Sequence, residues 1–283
     1  MHGTGPAFVR RGQGRRMRGH RHHRLPRHGS GKLVDQGSKG RGAGVMTREI
    51  FEFKEFSMCQ GRSGQRINTD SCAFGDIVDA DSPRQVIDIG CGSGVLALMM
   101  AKKFPEAHVH AVEFNKDVAA IAAENFSNCP WSGRIFLHQS SAQEFARVTP
   151  ERFDLIVCNP PFFTGSTRSS NPERAMARHD DALPPMSLAS VIQNILAPQG
   201  YVWILAAAGD ETKWIDALQG RLTLTENCEL ADNPRAIPHA VALCFTALGE
   251  RRLEGVHLPG RHATFGGFQG IGQRQQLPGN PNA

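Results

Sequence analysis

Asn159-Pro160-Pro161-Phe162 follows an apolar run, Phe153 to Cys158, and an earlier apolar run ends in Asp88-Ile89-Gly90-Cys91-Gly92-Ser93-Gly94. The first motif has the parts to hold a planar amine. An exocyclic amine conjugated with a ring or a carbonyl is a poor nucleophile, because its lone pair is delocalised. Two acceptors in line with its N–H bonds favour a pyramidal nitrogen and aim the lone pair outward. The Asn159 side-chain oxygen and the Pro160 carbonyl can be those acceptors, and proline presents its carbonyl rigidly because its φ is fixed. Phe162 offers a face for a flipped-out base, worth roughly 1–3 kcal/mol in comparable base–aromatic stacks. Phe163 can wall the pocket. A lone Asn-Pro-Pro would read as a strand terminator; the glycine loop upstream gives it a chemical reading.

Gly90, Gly92 and Gly94 form G-x-G-x-G between a strand pattern and a helix pattern, where glycine allows a tight turn and close approach of a ligand to the main chain. The dinucleotide fingerprint would need glycine at position 95, which is Val95. The loop therefore fits a pyrophosphate poorly. It better fits a cofactor without phosphate, whose sulfonium and amino-acid groups want polar and acidic neighbours. Asp88 is placed to supply a carboxylate, and Glu113, at the end of the next strand, can accept from two ribose hydroxyls. After the third strand no acid is present; Ser141 or Gln143 would have to meet an adenine amino group. Together the two halves point to methyl transfer from S-adenosylmethionine to a conjugated nitrogen. Such a donor is already activated, so catalysis would be mostly alignment and electrostatics.

The elements that must position these residues alternate along the chain. Phe51, Phe53 and Phe56 mark a short strand or hairpin, and Thr69-Asp70 reads as a cap before a helix over 71–78. Strands are expected at 85–89, 108–113, 134–138, 153–158 and 201–207. Helices fall at 95–104, 117–126, 142–147, 188–196 and 211–218. The segments 222–230 and 240–248 would close the sheet as an antiparallel pair. The fold class is α/β: a doubly wound, seven-stranded Rossmann-like sheet, mostly parallel with an antiparallel closing strand. In such sheets ligands lie beyond the carboxyl ends of the strands, where both motifs fall.

Charge is unevenly spread. Residues 1–45 hold 11 Lys and Arg and one acid, Asp35, which leaves 21 bases and 26 acids in the rest of the chain. The basic pI belongs to this tail, and a nucleic-acid ligand would have to use local basic patches on a mildly acidic body. The expected division is a disordered basic tail over 1–45, a catalytic domain over 46–249 and a poorly ordered tail over 250–283. Met46 opens a segment of ordinary composition, so the first tail is expected to be an upstream extension that adds nothing to the fold. No apolar run approaches the roughly 20 residues of a membrane span, and no signal-peptide apolar region is present. The seven cysteines are scattered without a C-x-x-C pair, which argues for a reducing compartment and against a zinc site. Cys91 and Cys158 read as structural. The twelve histidines crowd the tail or stand alone, so no metal is expected. A cytoplasmic location and a monomer are the expectations.

The placed motifs resemble the class I S-adenosylmethionine-dependent methyltransferases, and in particular the tRNA1(Val) adenosine-37 N6-methyltransferases. The resemblance covers about residues 50–248. It rests on Phe51-Glu52-Phe53-Lys54-Glu55-Phe56, on Arg62 with Asn68-Thr69-Asp70, and on Asn159-Pro160-Pro161-Phe162-Phe163 with Glu173-Arg174 through Arg178-His179. Asn233-Pro234-Arg235 through Pro238-His239 is similar to the family's late loop. What the resemblance implies is N6-methylation of an adenosine beside the anticodon, with tRNA as partner. Arg62, Arg178 and His179 would then bind substrate by contacting phosphates. Departures are the missing acid after the third strand, Asn68 in place of glycine, an altered pair at Ser71-Cys72, and no aromatic-rich strand after Leu248. Two rivals stand beside this reading: a methyltransferase of the same fold acting on rRNA bases or a protein glutamine, and a non-catalytic RNA-binding module.

Overall fold

A computed structural model describes residues 50–60, 69–161, 183–233 and 236–247, and the backbone of two short strands at 8–11 and 32–34. In chain order the elements are β1 (Phe8–Arg11), β2 (Lys32–Val34), β3 (Ile50–Glu52), β4 (Ser57–Cys59), α1 (Thr69–Ile77), β5 (Gln85–Ile89) and α2 (Val95–Lys103). They continue as β6 (His108–Glu113), α3 (Lys116–Ser127), β7 (Ile135–Gln139), α4 (Ala142–Val148) and β8 (Phe153–Cys158). The last are α5 (Pro185–Ile195), β9 (Leu196–Ala207), α6 (Glu211–Leu218), β10 (Leu222–Ala231) and β11 (Ala240–Ala247).

The main sheet has the order β1-β10-β11-β9-β8-β5-β6-β7. Strands β7, β6, β5, β8 and β9 are mutually parallel, and β11 runs antiparallel to both β9 and β10. Seven of these strands are the expected sheet. The eighth, β1, comes from the segment where no element was expected and pairs with β10, Phe8 opposite Ala231. An edge strand presents unpaired N–H and C=O groups, so an extended segment can add to it. Likewise β2 adds to the predicted β3–β4 hairpin.

Period-two alternation divides the strand residues between two cores. Val86, Leu155, Val157, Trp203 and Leu205 face the side covered by Phe74 of α1, Leu96 and Met100 of α2, and Phe126 of α3. Ile87, Ile89, Ile156, Val202 and Ile204 face Phe145 of α4, Leu188 and Ile192 of α5, and Trp214 of α6. Near-continuous apolar runs are what strands covered on both faces require. Each large side chain buried here contributes roughly 1.5–3 kcal/mol. Trp203, fully buried, also donates its Nε1–H to the Asp79 carbonyl at 2.8 Å, tying β9 to the segment after α1.

One expected cap lies elsewhere. Thr69 and Asp70 lie inside the first turn of α1, not before it; the Asp70 carboxylate is engaged by a distant histidine described below. Helix α2 opens at Gly94, which has no side chain to cap it. Asp88 at the end of β5 takes over, its Oδ2 accepting from the Ala97 N–H at 3.0 Å. Helix α3 is capped locally, the Asn115 Oδ1 accepting from Asp117 and Val118.

Candidate active site

Strand β5 sits between β8 and β6, so the crevice of the doubly wound sheet opens at its carboxyl end. The glycine loop lies there. Gly90 and Cys91 both donate to the Val112 carbonyl, at 2.9 and 3.0 Å, and Gly94 donates to the Cys91 carbonyl at 2.9 Å. Gly90, Gly92 and Gly94 all take positive φ, at 73°, 57° and 93°. Their reasons differ. A Cβ on Gly94 would lie 2.4 Å from the Phe126 ring, whereas a Cβ on Gly90 or Gly92 would meet nothing within 4 Å. Gly94 therefore serves packing, and the other two leave open main chain against which a ligand can lie.

Glu113 is held at the same rim. Its Oε2 accepts from the Gly92 N–H and its Oε1 from the Asn115 N–H, each at 2.9 Å. One carboxylate thus sets both the loop and the start of α3, and each oxygen keeps a second lone pair. Asp88, only 1 % exposed, lies beneath the loop instead of at its surface. Among the described residues its Oδ1 has no hydrogen-bond partner. Burial raises its pKa to about 7; the Ala97 N–H opposes that shift, and nearby Glu113 adds to it. A cation held above the loop would favour the ionised form. Open glycine main chain, an oriented carboxylate at the rim and a buried orphan carboxylate oxygen fit a cofactor with a ribose and a positive centre.

Ser141 caps a helix: it is the N-cap of α4, its Oγ accepting from the Glu144 N–H at 3.1 Å. The hydroxyl proton is not consumed by that bond. Along the same edge His110 and His138 do not stand alone as expected. Their rings stack with centroids 5.1 Å apart, and Nδ1 of His110 lies 3.0 Å from Nε2 of His138. Parallel pairing of β6 with β7 puts them on one face, which spacing in the sequence could not reveal. Among the described residues no three His, Cys, Asp or Glu side chains group as metal ligands would. Cys91 and Cys158 are buried, and burial pushes both thiols up, away from the reactive thiolate.

Asn159 follows the last residue of β8, next to β5, so it shares the rim with the glycine loop. Its Nδ2 donates to the Ser71 Oγ at 2.9 Å, which leaves Oδ1 as the other branch of the amide. Pro160 is buried behind it. Beside it a cleft of about 100 Å³ is lined by Pro160, Pro161, Leu205, Ala207 and Trp214, with Asp210 and Lys213 forming an ion pair in its wall. The expected residues Phe162, Phe163, Arg62, Arg178 and His179 lie outside the described residues.

A match to the methyltransferase small domain family covers residues 63–210, more than half of the chain. The chain belongs to that family. The family match takes in the glycine loop, Glu113 and Asn159-Pro160 together. Relatives named tRNA1(Val) (adenine(37)-N6)-methyltransferase include one from Cytophaga hutchinsonii, 38% identical over 173 residues, covering 61% of this chain and 72% of its own. One from Shewanella baltica is 41% identical, covering 53% of this chain and 63% of its own, and one from Musicola paradisiaca is 32% identical, covering 69% and 80%. The solved structure of P. horikoshii TYW2 in complex with MeSAdo has the same fold, with a TM-score of 0.50 at 12% identity, covering 72% of each chain.

The structure adds contacts that motif reading misses. Ser71 stands out in the sequence only as a departure from the resemblance, yet it holds Asn159. His239 Nε2 lies 2.9 Å from Asp70 Oδ1, so two segments far apart in the chain are in contact. Asn125, 2 % exposed on α3, donates to the Cys59 and Ser93 carbonyls and accepts from the Cys59 N–H. It ties the β3–β4 hairpin to the glycine loop. A buried Asn on an Ala-rich helix was the one available signal, since such an amide needs partners.

Proposed function

We propose that the protein transfers a methyl group from S-adenosylmethionine to N6 of an adenosine in tRNA, at position 37 of tRNA1(Val). The observation that carries this reading is the Asn159 amide: tied through Nδ2 at the rim that also bears the glycine loop, it has an acceptor oxygen to offer an amine. S-adenosylmethionine, when bound, supplies an activated methyl group. Gly90, Gly92 and Glu113 would hold it, with Asp88 shaping and charging the loop from below. Asn159 Oδ1 and the Pro160 carbonyl accept the two amine N–H bonds, drawing the nitrogen lone pair out of conjugation. An amine that accepted the methyl group would carry one proton too many, and that proton would pass to solvent. Alignment and fixed dipoles lower the barrier. That relatives are named for adenine 37 of tRNA1(Val) supports this choice of nucleotide and tRNA.

Labelled S-adenosylmethionine offered with tRNA1(Val) transcript, rRNA fragments and a glutamine peptide tests this. N6-methyladenosine at position 37 on nucleoside mass spectrometry is the expected result. Label on rRNA or glutamine alone, or none at all, overturns it. Stabilisation by S-adenosylmethionine without turnover would support a binding module.

A further inference from the structure

Resting on that reading, we infer that Ser71 is a positioning residue for Asn159, and that the Asp70–His239 pair holds Ser71 in place. The two branches of an asparagine amide have similar shape and opposite chemistry. Rotation about its last torsion is broad and two-fold, so an untethered amide would present –NH₂ to the amine as readily as oxygen. An –NH₂ facing an amine is a donor meeting donors. The Ser71 Oγ, 2.9 Å from Nδ2 and on a residue 6 % exposed, accepts from the donor branch and so leaves Oδ1 as the remaining branch.

Ser71 is itself held by its neighbour. Successive residues on a helix point about 100° apart, so Asp70 and Ser71 reach different strands from one turn. Asp70 meets His239 at 2.9 Å. His239 is pinned at the start of β11, its N–H donating to the Leu230 carbonyl at 3.0 Å and its carbonyl accepting from Ala208 at 3.1 Å. Ala208 follows β9, the neighbour of β8, and Asn159 follows the last residue of β8. Two adjacent side chains thus peg the start of α1 across the rim, one to β11 and one to the reacting motif.

The test is steady-state methylation of the tRNA transcript by the parent, S71A, N159D and S71A/N159D, with cofactor affinity and Tm measured alongside. S71A should lower kcat about 5- to 20-fold, the scale of one lost buried hydrogen bond, with tRNA KM and cofactor affinity within about twofold. In N159D both branches are acceptors and a flip changes nothing, so adding S71A should cost less than about twofold. Equal losses in both backgrounds, or S71A turning over like the parent, overturn the inference. Should S71A lose its stabilisation by S-adenosylmethionine, S71T, which keeps the hydroxyl, decides: recovered turnover supports the anchor and none overturns it. A parent inactive on tRNA overturns the proposed function itself, and the positioning role with it.

Discussion

The proposed cofactor rim and the proposed reacting rim lie side by side on one sheet and are built in opposite ways. Around the glycine loop a short stretch of chain supplies almost everything: Val112 takes two loop amides, and Glu113 takes a third together with the N–H of Asn115, the N-cap of α3. The reacting rim is assembled from afar. Asn159 is held by Ser71, 88 residues away, and the turn carrying Ser71 is pegged through Asp70 to His239, 169 residues away. A loop fixed by its own strand–helix–strand unit should tolerate change elsewhere. A site fixed by distant partners should be sensitive to them. Substitutions on either side can break this contrast.

The largest effect is expected at Asn159. Replacing it with Ala removes an acceptor aimed at charge that develops only as the amine attacks, and such losses cost on the order of 10²–10³ in kcat. Cofactor affinity should be unchanged, because among the described residues the Asn159 side chain bonds to Ser71 and makes no hydrogen bond to the loop. Titration calorimetry with S-adenosylmethionine beside the methylation assay checks both halves. A fall in both would mean the two rims are not separable.

Next in size is Gly94→Ala, which probes the other side. The new Cβ would sit 2.4 Å from the Phe126 ring at φ 93°, so strain and overlap combine. A loss of about 2–4 kcal/mol in denaturant unfolding is expected. Gly90→Ala meets open space and carries only the backbone strain, about 1–2 kcal/mol. Its effect on cofactor affinity should exceed that of a surface substitution. If Gly90→Ala proved the more destabilising, the division between a packing glycine and a ligand-facing one would fail.

Asp88 sharpens the contrast through pH. With its pKa raised from the ordinary carboxylate range to about 7, mainly by burial, the folded protein holds a proton that the unfolded chain has released. Its contribution to stability is therefore full below about pH 4 and is lost as pH rises through 7. D88N should remove that component of the profile and leave any opposing one exposed. It should also remove any rise in cofactor affinity between pH 6 and 8, where the parent gains a negative charge beneath a positive ligand. Thermal melts with and without S-adenosylmethionine across this range read both. A D88N variant that kept the parent's slope would place the titrating group elsewhere.

The same contrast explains what the sequence could reveal. Strands β5, β6 and β8 were legible to the residue, because runs such as Gln85–Ile89 and Phe153–Cys158 are bounded by turn residues and buried on both faces. The glycine loop was legible because φ above zero and close approach both demand glycine within one short segment. Ser71 was not. Nothing in its own neighbourhood tells that its hydroxyl meets an amide from another strand, and in the sequence it looks like a lapse in a motif. Asp70 reads as a cap for the same reason: local pattern offers a helix start, and a tertiary partner in the loop before β11 takes the carboxylate instead. Ser141 shows the reverse, a residue sought for a ligand whose side chain also answers a local need at the start of α4.

The smallest predicted effect lies away from both rims, in the stacked histidines of β6 and β7. Burial, helped by the neighbouring His138 and His108, lowers the pKa of His110 to about 4, and burial also lowers that of His138. Here the unfolded chain binds the proton more readily, so the pair's contribution is present above about pH 6.5 and is lost as pH falls toward 4. That slope opposes the one from Asp88 over much of the same range. His110→Phe keeps an aromatic ring against Phe136 and Phe153 and cannot take the charge. Between pH 7 and 5 its Tm should fall less than the parent's by about 2–4 °C, the shift that 1 kcal/mol makes in a domain of this size. Combining it with D88N should leave a nearly flat profile, whereas a residual acid-side loss as steep as the parent's would place the titrating group outside this pair.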